Sequence, residues 1–524
     1  IVRSELVFRA GTPPDARYSF KHALVQQAAY EGLPRSRRQA LHATIAKALL
    51  PRDPGFADPQ LDLMAWHCER GGIIEWAAAL YARAGWRSAS RGAFAEAHEQ
   101  LANASRMVAA MPEGEARDRM ELAIVPYFIS VTRLHRGYAN SEAAEAHRRA
   151  AELWERLGRP AEYLEVAHAR YFFYFNRGEL QRAQELALHL WGISQERADP
   201  RYRIMGHLLV GYSTMLRGDL MGAEAHLRDA LTLIQSRSDD PTVPWRSSDS
   251  DAIASWVAWA MAHLTLGRVK CLLGHLDQAR AHLSTVIDRA PPVGHEIAQV
   301  EFSAIQVRVS SYFTEAAELA PSVERLSKLT RELGVASFDA MATIHRGHVI
   351  ACLGTPEEGI SLMEKGIAAY AATEAVIWSG YHRARLSEAY QRLGRPREAR
   401  QLLIEAQDCA ERTGERWYDA ELMRRMGEVD RQEGDVGAAE RRFTQALAIA
   451  QRQHAKLWEL HAATSLARLW HEQRRDAEAR AVLAPVYGWF KEGLETGSLR
   501  RAKAVLEELK ASLPLRPSGR RGPG

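Results

Sequence analysis

Histidine, cysteine and aspartate are among the residue types in this 524-residue chain that could bind a metal or support covalent catalysis. None of the 20 histidines pairs with cysteines at the short spacing of a zinc site. The four cysteines are too scattered for a disulfide framework, which predicts reduced and mostly buried thiols: Cys68, Cys271, Cys352 and Cys409. The sequence therefore predicts neither a metal site nor a catalytic nucleophile.

The sequence motifs of common enzymes are also missing. The chain has no G-x-x-x-x-G-K-[ST] segment, whose backbone N–H groups and lysine would cradle phosphates. H-E-x-x-H, G-x-S-x-G and a G-x-G-x-x-G after a strand do not occur. Four acids in a polar stretch lack the spacing of a calcium loop, which favours solvated acids or helix caps: Asp239, Asp240, Asp249 and Asp251. We expect a non-catalytic chain that holds no cofactor itself.

The composition is that of an ordinary folded protein. Lys and Arg total 69 against 65 Asp and Glu, which gives a formal net charge of +4. This balance argues against nucleic acid as a partner. No signal peptide or run of about 18 apolar residues is present, so we expect a cytoplasmic protein that does not bind membranes. The chain begins with Ile1 rather than Met, and we therefore expect a processed protein or a piece of a longer one.

A repeat of about 40 residues dominates the sequence. Markers recur at this spacing: Gly178 and Gly218, then Gly354, Gly394, Gly434 and Arg474. Small residues recur seven positions before and five after a marker, and a larger apolar residue nine after it. A turn glycine can end one helix, and small facing residues let a second helix pack closely antiparallel to the first. Because such hairpins bury their apolar faces only by stacking, the repeat predicts an all-α solenoid.

The repeat resembles the tetratricopeptide (TPR) repeat, most plainly at 218–231, 274–287 and 434–447. The resemblance implies a TPR-like array over residues 71–510. The local composition predicts a loop insertion at 235–251 and a disordered tail at 511–524. In TPR arrays the concave face, which binds a protein or peptide, carries first-helix side chains one and four positions past the small residue. Those positions predict a partner groove of Phe172, Phe175, Tyr212, Met215, Arg268, His348, Glu388, Gln391, Glu428, Arg431, Arg468 and His471. Its apolar end would hold a partner segment or an upstream module, and its charged end would tune selectivity. The alternative is that some of these aromatic residues are core.

The first 70 residues differ from the repeats and predict two helices at 21–30 and 36–50, with Phe20 on the same helical spacing. They resemble the winged-helix-like module that follows the nucleotide-binding core of bacterial STAND-type ATPases. The matching residues are Phe20, Lys21, His22, Ala23, Leu24, Val25, Gln27, Ala28, Ala29, Tyr30, Leu33, Arg38, Leu41 and His42. Joined to such repeats, the segment looks most like the C-terminal part of class III adenylate/guanylate cyclase–ATPase–TPR proteins. That resemblance implies upstream cyclase and ATPase domains in cis, with ATP and Mg bound there.

His22 is the residue to which the resemblance gives a chemical role. In STAND-like proteins a histidine of this module can contact the phosphates of the bound nucleotide. The alternative is a histidine at the start of a helix that bonds a neighbour. For the whole chain, the resemblance implies a sensor and scaffold region that regulates the upstream modules. A stand-alone TPR adaptor and a LuxR-type transcription regulator are the alternatives, although the C-terminal tail cannot form the helix-turn-helix of the latter.

Overall fold

Turns with left-handed backbone end the first helix of several hairpins at the predicted markers. Gly394 and Gly434 have φ of 72° and 88°, and Arg474, where the repeat has no glycine, takes the same backbone at 65°. A computed structural model describes residues 6–12, 16–49, 61–137, 139–141, 143–160, 164–197, 199–236, 250–289 and 296–511. The predicted loop insertion and tail fall almost wholly outside these residues, as do Asp239, Asp240 and Asp249.

The described chain divides into two compact units, Ile1–Ala89 with Ala93–Phe128, and Ser90–Gly92 with Ile129–Gly524. The predicted boundary after residue 70 stays a prediction. The first unit holds strands β1 (Val7–Ala10) and β2 (Arg17–Phe20), helices α1 (Ala23–Glu31), α2 (Arg35–Leu49), α3 (Leu61–Gly71), α4 (Ile74–Ser90) and α5 (Phe94–Ala109), and the start of α6 (Glu115–Arg136).

The second unit is built of helices throughout its described part. They are α7 (Ala143–Arg156), α8 (Leu164–Asn176), α9 (Leu180–Glu196), α10 (Pro200–Leu216), α11 (Leu220–Gln235), α12 (Ser250–Leu272), α13 (Leu276–Asp288), α14 (Glu296–Ser310), α15 (Ala316–Leu333), α16 (Ala336–Leu353), α17 (Pro356–Ala372), α18 (Ser379–Arg392), α19 (Pro396–Thr413), α20 (Asp419–Gln432), α21 (Val436–Arg452), α22 (Lys456–Glu472), α23 (Asp476–Trp489) and α24 (Gly497–Ala511). The all-α fold class is confirmed.

Small residues allow the two helices of a hairpin to pack closely, as the repeat predicts. A methyl group on Gly427 of α20 would lie 2.7 Å from a ring carbon of Phe443 on α21, and one on Gly347 of α16 would meet Met363 of α17 at the same distance. Phe443 also packs with Leu466 and Leu469 of the next hairpin. The large residue therefore fills space both within its hairpin and toward the next one, which is what stacks the array.

Turns of the early hairpins contact loops that lie far along the chain. The N–H of Val376 donates to the C=O of Asn176 at 2.7 Å, and the N–H of Arg416 donates to the C=O of Leu216 at 2.7 Å. Each bond joins residues 200 positions apart, and nine described helices intervene in both cases. We call this line of contacts the seam. The array of the second unit thus closes on itself.

The first unit contains a β-hairpin that the sequence did not predict. β1 and β2 pair antiparallel, with Val7 opposite Phe20 and Ala10 opposite Arg17. Phe20 therefore lies in a strand, and its assignment to a helical pattern was wrong. The first helix begins at Ala23 instead, two residues after the predicted start, because β2 occupies the chain up to Phe20.

Candidate functional site

The apolar end of the predicted groove lies in the interior of the second unit. Six of the predicted side chains are buried: Phe172, Phe175, Tyr212, Met215, Arg268 and His348. The rings of Phe172, Phe175 and Tyr212 contact one another with centroids 5.0 to 5.6 Å apart. Closure along the seam brings Trp378 to 6.1 Å from Phe175. The expectation of an open apolar groove is thus corrected: these residues form core, the alternative that the sequence left open.

Two arginines are buried against Trp378, at the start of α18. The guanidinium carbons of Arg268, from α12, and Arg308, from α14, lie 4.6 and 4.1 Å from the indole centroid. Both distances are within the range of cation–π attraction. Arg268 Nη1 donates to the Tyr212 hydroxyl at 3.5 Å. We call Tyr212, Arg268, Arg308 and Trp378 the arginine cluster.

A buried carboxyl, Glu415, lies beside the arginine cluster. Its Oε2 accepts from the backbone N–H of Trp378 at 3.3 Å, and its Oε1 accepts from Trp417 Nε1 at 3.2 Å. Burial raises the pKa of Glu415 to about 7, although these hydrogen bonds and the charge of Arg308 oppose the change. Glu415 is therefore partly neutral near neutral pH.

Charged side chains on α18, α20 and α22 form a connected set that we call the charge ladder. Arg425 Nη1 donates to Glu388 at 3.0 Å and Arg425 Nε approaches Glu421 at 3.1 Å. Burial alone would raise the pKa of Glu388, but the guanidinium groups of Arg425 and Arg385 hold it well below its usual range. The ladder is therefore ionised, and its pairs lie in surroundings where losing one partner is costly.

The ladder continues toward the C-terminal ends of the same helices, where its side chains become more exposed. Glu428 accepts from Ser465 Oγ at 2.6 Å and from Arg431 Nε at 3.2 Å. Arg431 also donates to Glu472 of α22 at 3.1 Å. We call this part the outer row; its predicted members Glu388, Gln391, Glu428 and His471 are half-buried, and Arg431 and Arg468 are exposed.

The structure joins the predicted residues in two sets and adds partners that the sequence analysis missed. Phe172, Phe175, Tyr212 and Arg268 meet in the interior, and Glu388, Glu428 and Arg431 meet on the ladder. The missed residues are Arg308, Trp378, Arg385, Glu421, Arg425 and also Arg424, which pairs with both Glu421 and Glu428. A signal for some of them was present, because Arg385 and Arg425 are 40 positions apart, as are Tyr381, Glu421 and His461.

His22 lies exposed at the N-terminal cap of α1. Its side chain makes no capping bond, but its C=O accepts from the N–H groups of Val25 and Gln26. Its contact with a nucleotide stays a prediction. Two other residues of the same motif do meet, since the Tyr30 hydroxyl lies 2.9 Å from His42 Nε2.

Among the described residues, no three His, Cys, Asp or Glu side chains are grouped so that they could hold a metal ion. No described helix is both long enough and apolar enough to cross a membrane. The four cysteines are free thiols, and Cys68, Cys271 and Cys409 are buried.

The sequence profile of the tetratricopeptide repeat family matches residues 375–452. Residues 375–452 are tetratricopeptide repeats. They include α18 to α20 and thus most of the charge ladder. An uncharacterized protein of Rhizobium meliloti (strain 1021) is 32% identical over 114 residues, which make up 22% of this chain. The match spans 11% of that relative's own length.

Several solved structures are similar to this chain. A Rap protein complexed with competence and sporulation factor has a TM-score of 0.43 at 10% identity, over 83% of this chain and 99% of that one. The Cut9–Hcn1 hetero-tetramer of the APC/C has a TM-score of 0.49 at 12% identity, over 91% and 84%. A STAND protein with a tetratricopeptide repeat sensor from Pyrococcus horikoshii has a TM-score of 0.38 at 14% identity, over 92% and 74%.

Proposed function

We propose that this chain is a non-catalytic sensor and scaffold region of a multidomain signalling protein in the cytoplasm, and that it binds a protein or peptide on its outer row. The observation that carries the proposal is the outer row itself. It repeats carboxylates and guanidinium groups on three successive first helices and keeps them partly exposed. Tetratricopeptide repeats serve as scaffolds or sensors for protein partners, and stacked repeats offer extended surfaces for binding.

The arrangement of charge in the outer row supports recognition of an extended partner. Glu388 and Glu428 occupy the same position in successive repeats, and Arg468 takes that position in the third. The row therefore presents both carboxylates and guanidinium groups along its length. The buried pairs beneath, such as Arg425 with Glu421, hold the half-buried acids in fixed positions. A surface fixed in advance loses less conformational entropy when a partner binds.

The regulatory part of the proposal rests on the first unit. Its residues Tyr30 and His42 belong to the motif shared with STAND-type ATPases, and they contact each other. We propose that the array regulates an upstream ATPase module and, in the same protein, a nucleotide cyclase, which would bind the ATP and Mg that this chain lacks the motifs to hold. Regulation would follow from a partner that binds one state of the array more tightly than the other.

Site-specific crosslinking in the full-length protein tests the partner surface. A photoreactive amino acid is placed at Arg431, at Arg468, or at Arg397 on the outer helix α19 as the matched control, since all three side chains are exposed. We expect covalent adducts with the same partner from positions 431 and 468, and none from 397. Equal adducts at all three positions, or none, would contradict the proposal.

A second experiment tests whether the partner surface regulates the upstream modules. Arg431→Glu reverses one charge of the outer row, and Arg397→Glu reverses one away from it. We expect Arg431→Glu to change the partner-dependent nucleotide turnover of the full-length protein several-fold, while Arg397→Glu leaves it as in the wild type. Adducts without any change in turnover would support the adaptor function instead.

A further inference from the structure

The arginine cluster places two positive charges in the protein interior. Arg268 is 0% exposed and Arg308 is 3% exposed. They come from α12 and α14, the first helices of neighbouring hairpins, and both stack on Trp378, which the seam brings to them. The charge of Arg268 lowers the pKa of Arg308, in addition to the larger effect of burial. The two guanidinium groups therefore oppose each other's burial.

The hydrogen-bonding capacity of these guanidinium groups is only partly used. Arg268 Nε and Nη2 and Arg308 Nε are buried without a hydrogen-bond acceptor among the described residues. Arg308 Nη1 reaches only the Met341 sulfur, at 3.5 Å. Neither arginine takes part in an ion pair with a described carboxylate, in contrast to Arg425 of the charge ladder. Burying a cation without such a partner is strongly unfavourable.

The other unpartnered polar groups near the cluster carry no negative charge. The Tyr312 hydroxyl is buried without a partner among the described residues and lies near both arginines. His345 Nε2 and both ring nitrogens of His382 are also unpartnered there, and burial keeps these rings neutral. Glu415 is an acid close enough to interact with Arg308, but its two oxygens already accept bonds from the Trp378 backbone and the Trp417 ring.

From these contacts we propose that the arginine cluster is a binding site for a small oxyanion, the carboxylate or phosphate group of a ligand enclosed by the second unit. A group with two or more oxygens would accept from Arg268 Nε and Nη2 and from Arg308 Nε, and would balance their charges. The Tyr312 hydroxyl is a further donor. This site is separate from the outer row and does not depend on a partner there.

The position of the cluster at the seam gives the ligand a means of access. Trp378 follows directly after Val376 and Ile377, whose N–H groups both donate to the C=O of Asn176. Separation of these bonds would move the indole away from the two guanidinium groups. A bound anion would then hold the seam closed, because Trp378 and both arginines would enclose it.

Thermal unfolding of the full chain with defined anions tests the site. The probes are inorganic phosphate and acetate, each compared with chloride at equal ionic strength. We expect one of them to raise the Tm in a saturable manner, and the responding anion distinguishes a phosphate ligand from a carboxylate ligand. If neither raises the Tm beyond the chloride control, the proposal is overturned.

Variants test whether the anion raises the Tm by binding at the arginine cluster. Arg308→Met keeps an unbranched apolar side chain but removes the charge, and we expect it to weaken binding of the responding anion at least tenfold. The ligand-free variant should unfold at the wild-type temperature or above, because a costly buried charge is gone. Arg397→Met, at an exposed position, should respond as the wild type does. If Arg308→Met does not fold, Arg268→Met replaces it and should likewise bind the responding anion at least tenfold more weakly. If the variant that folds binds that anion as the wild type does, the proposal is overturned.

Discussion

Alanine in place of Gly178 should open the seam, whereas alanine in place of Gly434 should not. Both glycines end the first helix of a hairpin with left-handed backbone, at φ of 73° and 88°. An added methyl group at Gly434 would meet no atom within 4 Å. At Gly178 it would lie 2.7 Å from Thr413 Cγ2 and 3.1 Å from Val376 Cγ1. The two variants therefore share the cost of left-handed backbone, and they differ only in whether the added methyl group collides with residues of the seam.

The expected magnitudes follow from that difference. Left-handed backbone costs an L-residue about 1–2 kcal/mol, and both variants lose this amount of stability. Overpacking against well-packed side chains costs a further ~1–3 kcal/mol, and only Gly178→Ala incurs it. Thr413 and Val376 are both β-branched and adjust poorly. Since each 1.4 kcal/mol is a factor of ten, the seam should open roughly 5 to 150 times more often in Gly178→Ala.

Hydrogen exchange read by mass spectrometry measures this opening directly. The amide of Val376 donates across the seam to Asn176, so its exchange rate reports separation of the two segments. We expect faster exchange at Val376 in Gly178→Ala and wild-type exchange in Gly434→Ala. Equal exchange at Val376 in the two variants would refute closure of the array along the seam.

Three further predictions concern the buried charges and the core. The pKa of Glu415, about 7 against 4.5 in the unfolded chain, means that its neutral form contributes ~3 kcal/mol to stability. That contribution is complete below about pH 4.5 and is lost as the pH rises through 7. In denaturant unfolding, the stability of Glu415→Gln should therefore fall less between pH 5 and pH 8 than that of the wild type. An equal fall in the two proteins would contradict this prediction. Arg425→Met should cost about 3–5 kcal/mol because it leaves buried Glu421 and half-buried Glu388 with one partner fewer. Arg431→Met, at a side chain 41% exposed, should cost about 0–1 kcal/mol, and similar losses in the two variants would count against the ladder. Phe443→Ala should cost about 3–5 kcal/mol in the same assay, since its ring fills the space beside Gly427 and Leu466, and a loss under about 1 kcal/mol would show poor packing there.

The hairpins could be predicted from the sequence because their contacts are local. Gly427 and Phe443 are 16 positions apart, and the repeated spacing of small and large residues records that contact directly. The β-hairpin was missed because strands of four residues, Val7–Ala10 and Arg17–Phe20, are too short to show a clear alternation.

The interior site could not be predicted in the same way. Arg308 meets Trp378 only because small rotations between successive hairpins add up until the array closes, and no single repeat encodes that sum. The prediction of a groove from Phe172 and Tyr212 assumed an open concave face. The array closes instead, and these two rings are therefore buried in the core. On the ladder, Glu388 and Glu428 followed from the repeat register, whereas Arg425 lies at a position that the register rule did not include.

The seam also limits how this protein can change length during evolution. An open solenoid can gain or lose a hairpin by duplication or deletion, because each hairpin contacts only its neighbours. Here Asn176 must meet Val376 and Leu216 must meet Arg416, with nine described helices between the members of each pair. Adding or removing one hairpin in that interval would shift every later loop past its partner turn. Insertions are tolerated only where they leave the number of helices between these paired residues unchanged, so closure of the array fixes the number of hairpins in that interval.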